Sequence, residues 1–241
     1  MRILSFITVV SIAACASSEA ADAPAPKPVN WIVGVDLSSS RDSNAVAAER
    51  HLVASLDRSI HNGDRLTIFR VYERGLEGNN DPWIWDVPRS ATPAHPTLSD
   101  SIKLEKTSRA LNAQPPIVFD QSIAGKLNGT DLFATLYRVA DIVRSDPGHV
   151  HRLLLVSDML QSTSDVNMER AIPSPGWVSE NAGRIPRLDG VCVAIAGPDV
   201  SKAYDHKLHA FWQAYFKAAR AELREDNYRN YMPDVSSVRC E

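Results

Sequence analysis

A doubly wound, mostly parallel α/β sheet with helices on both faces is the fold this sequence predicts, on three observations. Short apolar runs of strand length alternate with longer segments whose apolar residues recur at helical spacing. Two of the runs, Trp31 to Val35 and the Leu-Leu-Leu-Val stretch within Arg152 to Ser157, are continuously apolar, as strands covered on both faces are. Each is followed closely by oxygen-bearing side chains, Asp36-x-Ser38-x-Ser40 after the first and Asp158 after the second. The carboxyl end of a strand is where open α/β sheets bind ligands.

The first residues are set apart from the fold. Met1-Arg2 is a minimal positive start, and Ile3 to Ile12 is apolar but too short to span a bilayer. Two processing routes are legible next. Ile12-Ala13-Ala14-Cys15 resembles a bacterial lipobox, which would make Cys15 the lipidated first residue of the mature chain. Ala14-Cys15-Ala16 also reads as an A-x-A site, with cleavage after Ala16 and release into the periplasm or medium. Under lipidation, the absence of Asp at position 16 favours an outer-membrane lipoprotein facing the periplasm. The signal segment thus covers 1–15. Residues 16–28, small and Pro-rich, form a tether that cannot pack.

The domain runs from 29 to 225. After the first strand, Ser43 to Ile60 reads as a helix with Val46, Leu52, Val53, Leu56 and Ile60 on one face, stopped by Asn62-Gly63-Asp64. The strand from Arg65 to Tyr72 completes a βαβ unit, hence a parallel pair. Residues 73 to 98 are rich in Gly, Asn and Pro; Trp83-Ile84-Trp85 within them reads either as a short edge strand or as an aromatic lip. A modest helix follows over Ser99 to Leu111. Gly129-Thr130 leads into a stronger helix with Leu132, Leu136, Val139 and Val143 on one face, ended by Asp146-Pro147-Gly148.

Beyond the strand ending at Ser157, residues 161–188 read as a long loop, and Asp189 to Ala196 as another central strand. A last helix from Ser201 to Arg224 carries a wide apolar stripe through Leu208, Phe211, Trp212, Tyr215 and Phe216, and residues 226–241 read as a weakly structured tail. In an exported protein, Cys192 and Cys240 are candidates for a disulfide.

Composition narrows the function. A formal net charge of -3 with no basic run excludes an electrostatic case for nucleic acid. Asp36, Ser38, Ser40, Thr130 and Asp158 all leave the carboxyl edge of the expected sheet, and none is a thiol or an imidazole. Carboxylates with hydroxyls are hard-oxygen chemistry, suited to Mg²⁺, Mn²⁺ or Ca²⁺. No G-x-S-x-G elbow serves a serine nucleophile, and no glycine-rich phosphate loop follows a strand, so the chain does not read as an enzyme. His206 and His209 read as an exposed helix face, and His149 and His151 merely flank a strand start.

In this order, Asp36-x-Ser38-x-Ser40, then Gly129-Thr130, then Leu-Val-Ser-Asp158, the chain resembles a von Willebrand factor type A (vWA) domain over roughly Val29 to Arg224. That family builds a metal-ion-dependent adhesion site from the same residue types on three loops. The resemblance implies that Ser38 and Ser40 bind the metal directly, Thr130 directly or through water, and Asp36 and Asp158 mostly through coordinated water. It implies a partner protein that offers an Asp or Glu carboxylate to the cation, with the membrane touched only through the lipid anchor. A structural part of an envelope complex with an idle metal site is the other reading, and a hydrolase the remotest. Two departures stand out. The 94 positions between Asp36 and Thr130 exceed the family's usual gap, implying an insertion over about 73–128, and Met159 stands where the family commonly has Gly.

Overall fold

The computed structural model describes residues 27–36, 51–71 apart from 54 and 62, 82–87, 102, 105, 106, 109 and 129–240. Its strands are β1 (Val29–Asp36), β2 (Arg65–Val71), β3 (Trp83–Asp86), β4 (Val150–Val156), β5 (Cys192–Ala196) and β6 (Glu222–Arg229), forming one sheet in the order β3-β2-β1-β4-β5-β6. Every neighbouring pair is parallel except β2 and β3, which are antiparallel. The chain steps one way from β1 to β2 and β3, and the other way through β4, β5 and β6. β1 and β4 therefore flank the topological switch point, whose carboxyl side is the open crevice of such sheets.

Alternation along the central strands divides the interior in two. Ile32, Leu153, Leu155, Val193 and Ile195 face α1 (Leu132–Ser145) and α3 (Asp205–Ala218), meeting Leu136, Val139, Phe211, Trp212 and Phe216. Trp31, Val33, Leu154, Val156 and Ala194 face the other way, onto Leu52, Val53 and Leu56 from residues 51–53 and the 3-10 turn Ser55–Arg58. Gly34 sits in β1 because its neighbours fill the space: an added Cβ would meet Leu155 at 3.0 Å and Phe69 at 3.2 Å.

Trp83-Ile84-Trp85 is the edge strand of its two expected readings, with Ile84 exposed and the two tryptophans half-buried. Three differences from the sequence expectation have physical causes. The expected loop over 161–188 contains a short helix, α2 (Pro175–Glu180), begun by a proline in its first turn. The last helix ends at Ala218 and does not reach Arg224, because Arg220 adopts a left-handed φ of 62°. The segment beyond it, whose Leu223 prolongs the apolar stripe in sequence, is the parallel strand β6.

The chain end is likewise no loose tail. Met232, Val235 and Val238 are buried against the second face, and a disulfide joins Cys192 at the start of β5 to Cys240. Among the described residues, no helix is long and apolar enough to cross a membrane. The expected leader over 1–15 with Cys15, most of the tether, most of the 73–128 segment, and all but scattered positions of the helix expected over Ser99 to Leu111 lie outside the described residues.

Candidate functional site

β1 delivers Asp36 to the carboxyl edge of the sheet as its last residue, with its side chain on the α1 face and only 1% exposed. Thr130, 94 positions later, comes to the same carboxylate: its Oγ1 donates within 3.3 Å of Asp36 Oδ1 and 3.4 Å of Oδ2. From β4, the Ser157 hydroxyl donates to Asp36 Oδ2 at 2.7 Å. Asp158 is the next residue, so three remote segments meet at the switch point between β1 and β4. Ser38 and Ser40 lie outside the described residues.

Local structure holds each group in place. Gly129 turns the chain at a φ of 93° just before Thr130. Thr130 is not the cap of α1. Asp131 is, its Oδ1 accepting from the Ala134 amide at 2.9 Å. Gln161, almost fully buried, completes the cap. Its Oε1 accepts from the Leu132 amide at 2.6 Å and its Nε2 donates to Asp131 Oδ1 at 3.1 Å. Backbone bonds between Thr130 and Ser162 run in both directions, at 3.3 and 2.8 Å, and fasten the α1 entry to the segment after β4.

The turn after β4 is tightly made. Ser157 Oγ accepts from the Met159 amide at 2.9 Å while donating to Asp36, so one buried hydroxyl serves both strands. Asp158 Oδ1 accepts from the Leu160 amide at 3.0 Å. Met159 sits at a φ of 64°, a left-handed position that a side chain takes at a cost of about 1–2 kcal/mol. Its fully buried side chain, together with the Trp212 Nε1–H donated to its carbonyl at 2.9 Å, holds it there. This is how the chain dispenses with the glycine that the resemblance led one to expect.

β6 and the start of α3 add a phenolic and acidic rim beside Asp158. Tyr228 Oη donates to Asp205 Oδ1 at 3.0 Å. Burial, then the charge of Asp158, raises the Tyr204 phenol; burial, then Asp205, raises that of Tyr228, so both stay protonated at neutral pH. Sequence reasoning missed Ser157 and Gln161. Ser157 was legible as the hydroxyl directly before Asp158; nothing local marked Gln161, whose partners lie about thirty positions away.

Among the described residues, no group of three or more His, Cys, Asp or Glu side chains is arranged to hold a metal ion. The donors gathered at the switch point are instead two carboxylates with hydroxyls. Such a set fits a hard divalent cation, and the two remaining hydroxyls expected of it, Ser38 and Ser40, follow Asp36 in sequence.

No family model matches the chain, and no curated protein does. Solved structures do. A von Willebrand factor type A protein from Catenulispora acidiphila is 10% identical with a TM-score of 0.34, over 80% of this chain and 42% of that one. The pilus adhesin SpaC from Lactobacillus rhamnosus GG is 18% identical with a TM-score of 0.38, over 58% of this chain and 16% of that one. The human COPII-coat protein Sec24c is 11% identical with a TM-score of 0.38, over 87% and 30%. The chain spans less than half the length of each of the three, and these likenesses concern the fold alone.

Proposed function

We propose that this chain is a metal-dependent protein-binding module of the vWA type, exported to the bacterial envelope, which captures a partner's carboxylate without chemistry on it. The observation that carries this reading is the meeting at Asp36: the Thr130 hydroxyl from one loop and the Ser157 hydroxyl, hence Asp158, from another. Ser38, Ser40 and Thr130 would offer hydroxyl oxygens to the cation, with Asp36 and Asp158 supporting it through their carboxylates. Neutral hydroxyls leave more of a cation's charge uncompensated than carboxylates do. Mg²⁺, Mn²⁺ or Ca²⁺ held there supplies an electrophilic position that an Asp or Glu of a partner protein can occupy.

The chain's own residues set the geometry. Gln161 holds the α1 cap directly after Thr130, the Ser162 backbone bonds Thr130 itself, and Trp212 fixes the turn that presents Asp158. The N-terminal leader and its Cys15 support delivery to the envelope, by lipid anchor or by release after Ala16.

Thermal unfolding of the full chain with and without Mg²⁺ or Mn²⁺ tests the reading. At a cation concentration a hundred times the dissociation constant, stabilisation of about 2.7 kcal/mol is expected, and its loss in Ser38→Ala and Asp158→Ala. Capture of an envelope protein that EDTA abolishes completes the case. Stabilisation without any EDTA-sensitive capture would leave an idle site, and equal melting with and without cations would remove the reading.

A further inference from the structure

The molecule also holds a concavity between α1, α2, the segment after β4 and Tyr215 of α3, next to the α1 entry. It encloses about 580 Å³, within the range of small-molecule sites. Its aromatic wall is a stack. Phe133 of α1 lies between Trp177 of α2, at a centroid distance of 5.5 Å and 10° between planes, and Tyr215 of α3, at 5.2 Å and 6°. Tyr137, one turn along α1, stands 42% exposed at the mouth, fixed by its hydroxyl's bond to the Arg184 carbonyl.

The polar lining is mixed. Asp165 accepts only, Arg184 donates only, and Asn181 and the Tyr215 phenol can do both. Tyr215 matters most. Its side chain is only 2% exposed, yet its hydroxyl has no hydrogen-bond partner among the described residues. Burial raises this phenol, so it is a neutral O–H at any physiological pH. The hydroxyl oxygen itself is not among the buried polar atoms left without a partner, so it reaches the groove, where it can both donate to and accept from a ligand. The Arg184 guanidinium has no carboxylate partner among the described residues either.

We propose that this groove binds a saccharide, independently of the cation site. The reasoning is chemical. A sugar hydroxyl is donor and acceptor at once, so a ligand carrying several satisfies an acceptor-only carboxylate, a donor-only guanidinium, an amide and a phenol together. The apolar C–H face of a pyranose packs on an exposed aromatic ring such as Tyr137. A planar aromatic ligand fits less well, because both faces of Phe133 are already covered by Trp177 and Tyr215. A purely apolar peptide would leave the phenol and guanidinium without partners.

Calorimetric titration of the full chain tests this, with chitotetraose, maltotetraose and tetragalacturonate as acetamido, neutral and acidic probes. Saturable binding of at least one is expected, persisting in EDTA, and identifying which sugar chemistry the groove takes. Tyr215→Phe keeps the stacking and removes only the hydroxyl; it should weaken that binding about five- to tenfold, and Arg184→Gln by a comparable factor. No saturable heat with any of the three, unchanged affinity in both variants, or tighter binding of adenosine than of any sugar overturns the proposal. Since the cation plays no part, failure here leaves the carboxyl-edge reading standing, and the reverse holds too.

Discussion

The two ends of this sheet both gather buried polar side chains, but they gather them differently. At the amino end, Asp146 closes α1 and receives Asn30 Nδ2 at 2.8 Å, His149 Nδ1 at 2.7 Å and an Arg65 guanidinium nitrogen at 3.4 Å. Asp64 beside it accepts the amides of Val29 and His61, both at 2.7 Å. The disulfide fastens the chain end to the start of β5 at the same pole. Carboxylates there meet cations, amides and a covalent staple, which is the pattern of a structural clamp. At the carboxyl end, the described groups around Asp36 are the neutral hydroxyls of Thr130 and Ser157, with a second acid next in the chain. Hydroxyl and carboxylate oxygens at a topological switch point are a set that suits a guest cation.

If that contrast is right, damage to the amino end should lower stability and leave the response to cations intact. The largest effect is expected from removing the disulfide. Opening its 48-residue loop in Cys192→Ala/Cys240→Ala should reduce unfolding free energy by about 4 kcal/mol in urea titration. Asp146→Ala comes next, at about 3 kcal/mol, because Asn30 Nδ2 and His149 Nδ1 lose their carboxylate together and Arg65 is left with Asp86 alone. Both variants should keep an undiminished Mg²⁺-induced rise in melting temperature. A lost rise would mean the two ends are coupled.

Ser157→Ala should cost less, about 1–3 kcal/mol, since the Met159 amide and one Asp36 oxygen each lose a partner. Yet it should blunt the Mg²⁺ response, which neither amino-end change does. Thermal scans at several Mg²⁺ concentrations separate these outcomes.

The smallest effect is an acid-sensitive one at the amino end. Burial lowers His151 below its ordinary value of 6.5, against the opposing charge of Asp146 and with the like charges of His149 and Arg65. A depressed folded value means that the unfolded chain takes up the proton first. Its contribution is therefore present above about pH 6.5 and lost as pH falls from there through the folded value. Burial pushes Asp146 upward, but hydrogen bonds from His149 and Asn30, with the charges of His149 and Arg65, hold it below 3.8. Its contribution is present above 3.8 and lost below. Urea midpoints against pH should fall in two stages, and His151→Gln should remove the upper one alone.

The contrast also shows what a sequence can disclose. The central strands were legible because apolar runs covered on both faces need no partner to be recognised, and Asp36 and Asp158 because they end such runs. The amino-end clamp was not, since His149 and His151 gain meaning only when β1, β2 and β4 bring Asn30, Arg65 and Asp146 to them. The last helix was over-extended by Leu223, which fits the stripe in sequence but lies beyond the left-handed Arg220. The buried chain end was not legible because Met232, Val235 and Val238, three positions apart, are too short a pattern to mark an element; a disulfide and a short 3-10 turn at Val235–Ser237 place them. Met159 was legible as a departure, but its support by Trp212 comes from 53 positions away.

The central claim is that the carboxyl edge of the sheet holds one divalent cation. Mn²⁺ titration of the full chain, followed by loss of the free-ion electron paramagnetic resonance signal, tests it most directly. One ion bound per chain is expected, with binding abolished in Asp36→Asn and sharply weakened in Thr130→Val. No binding by the unaltered chain, or full binding by both variants, would contradict it.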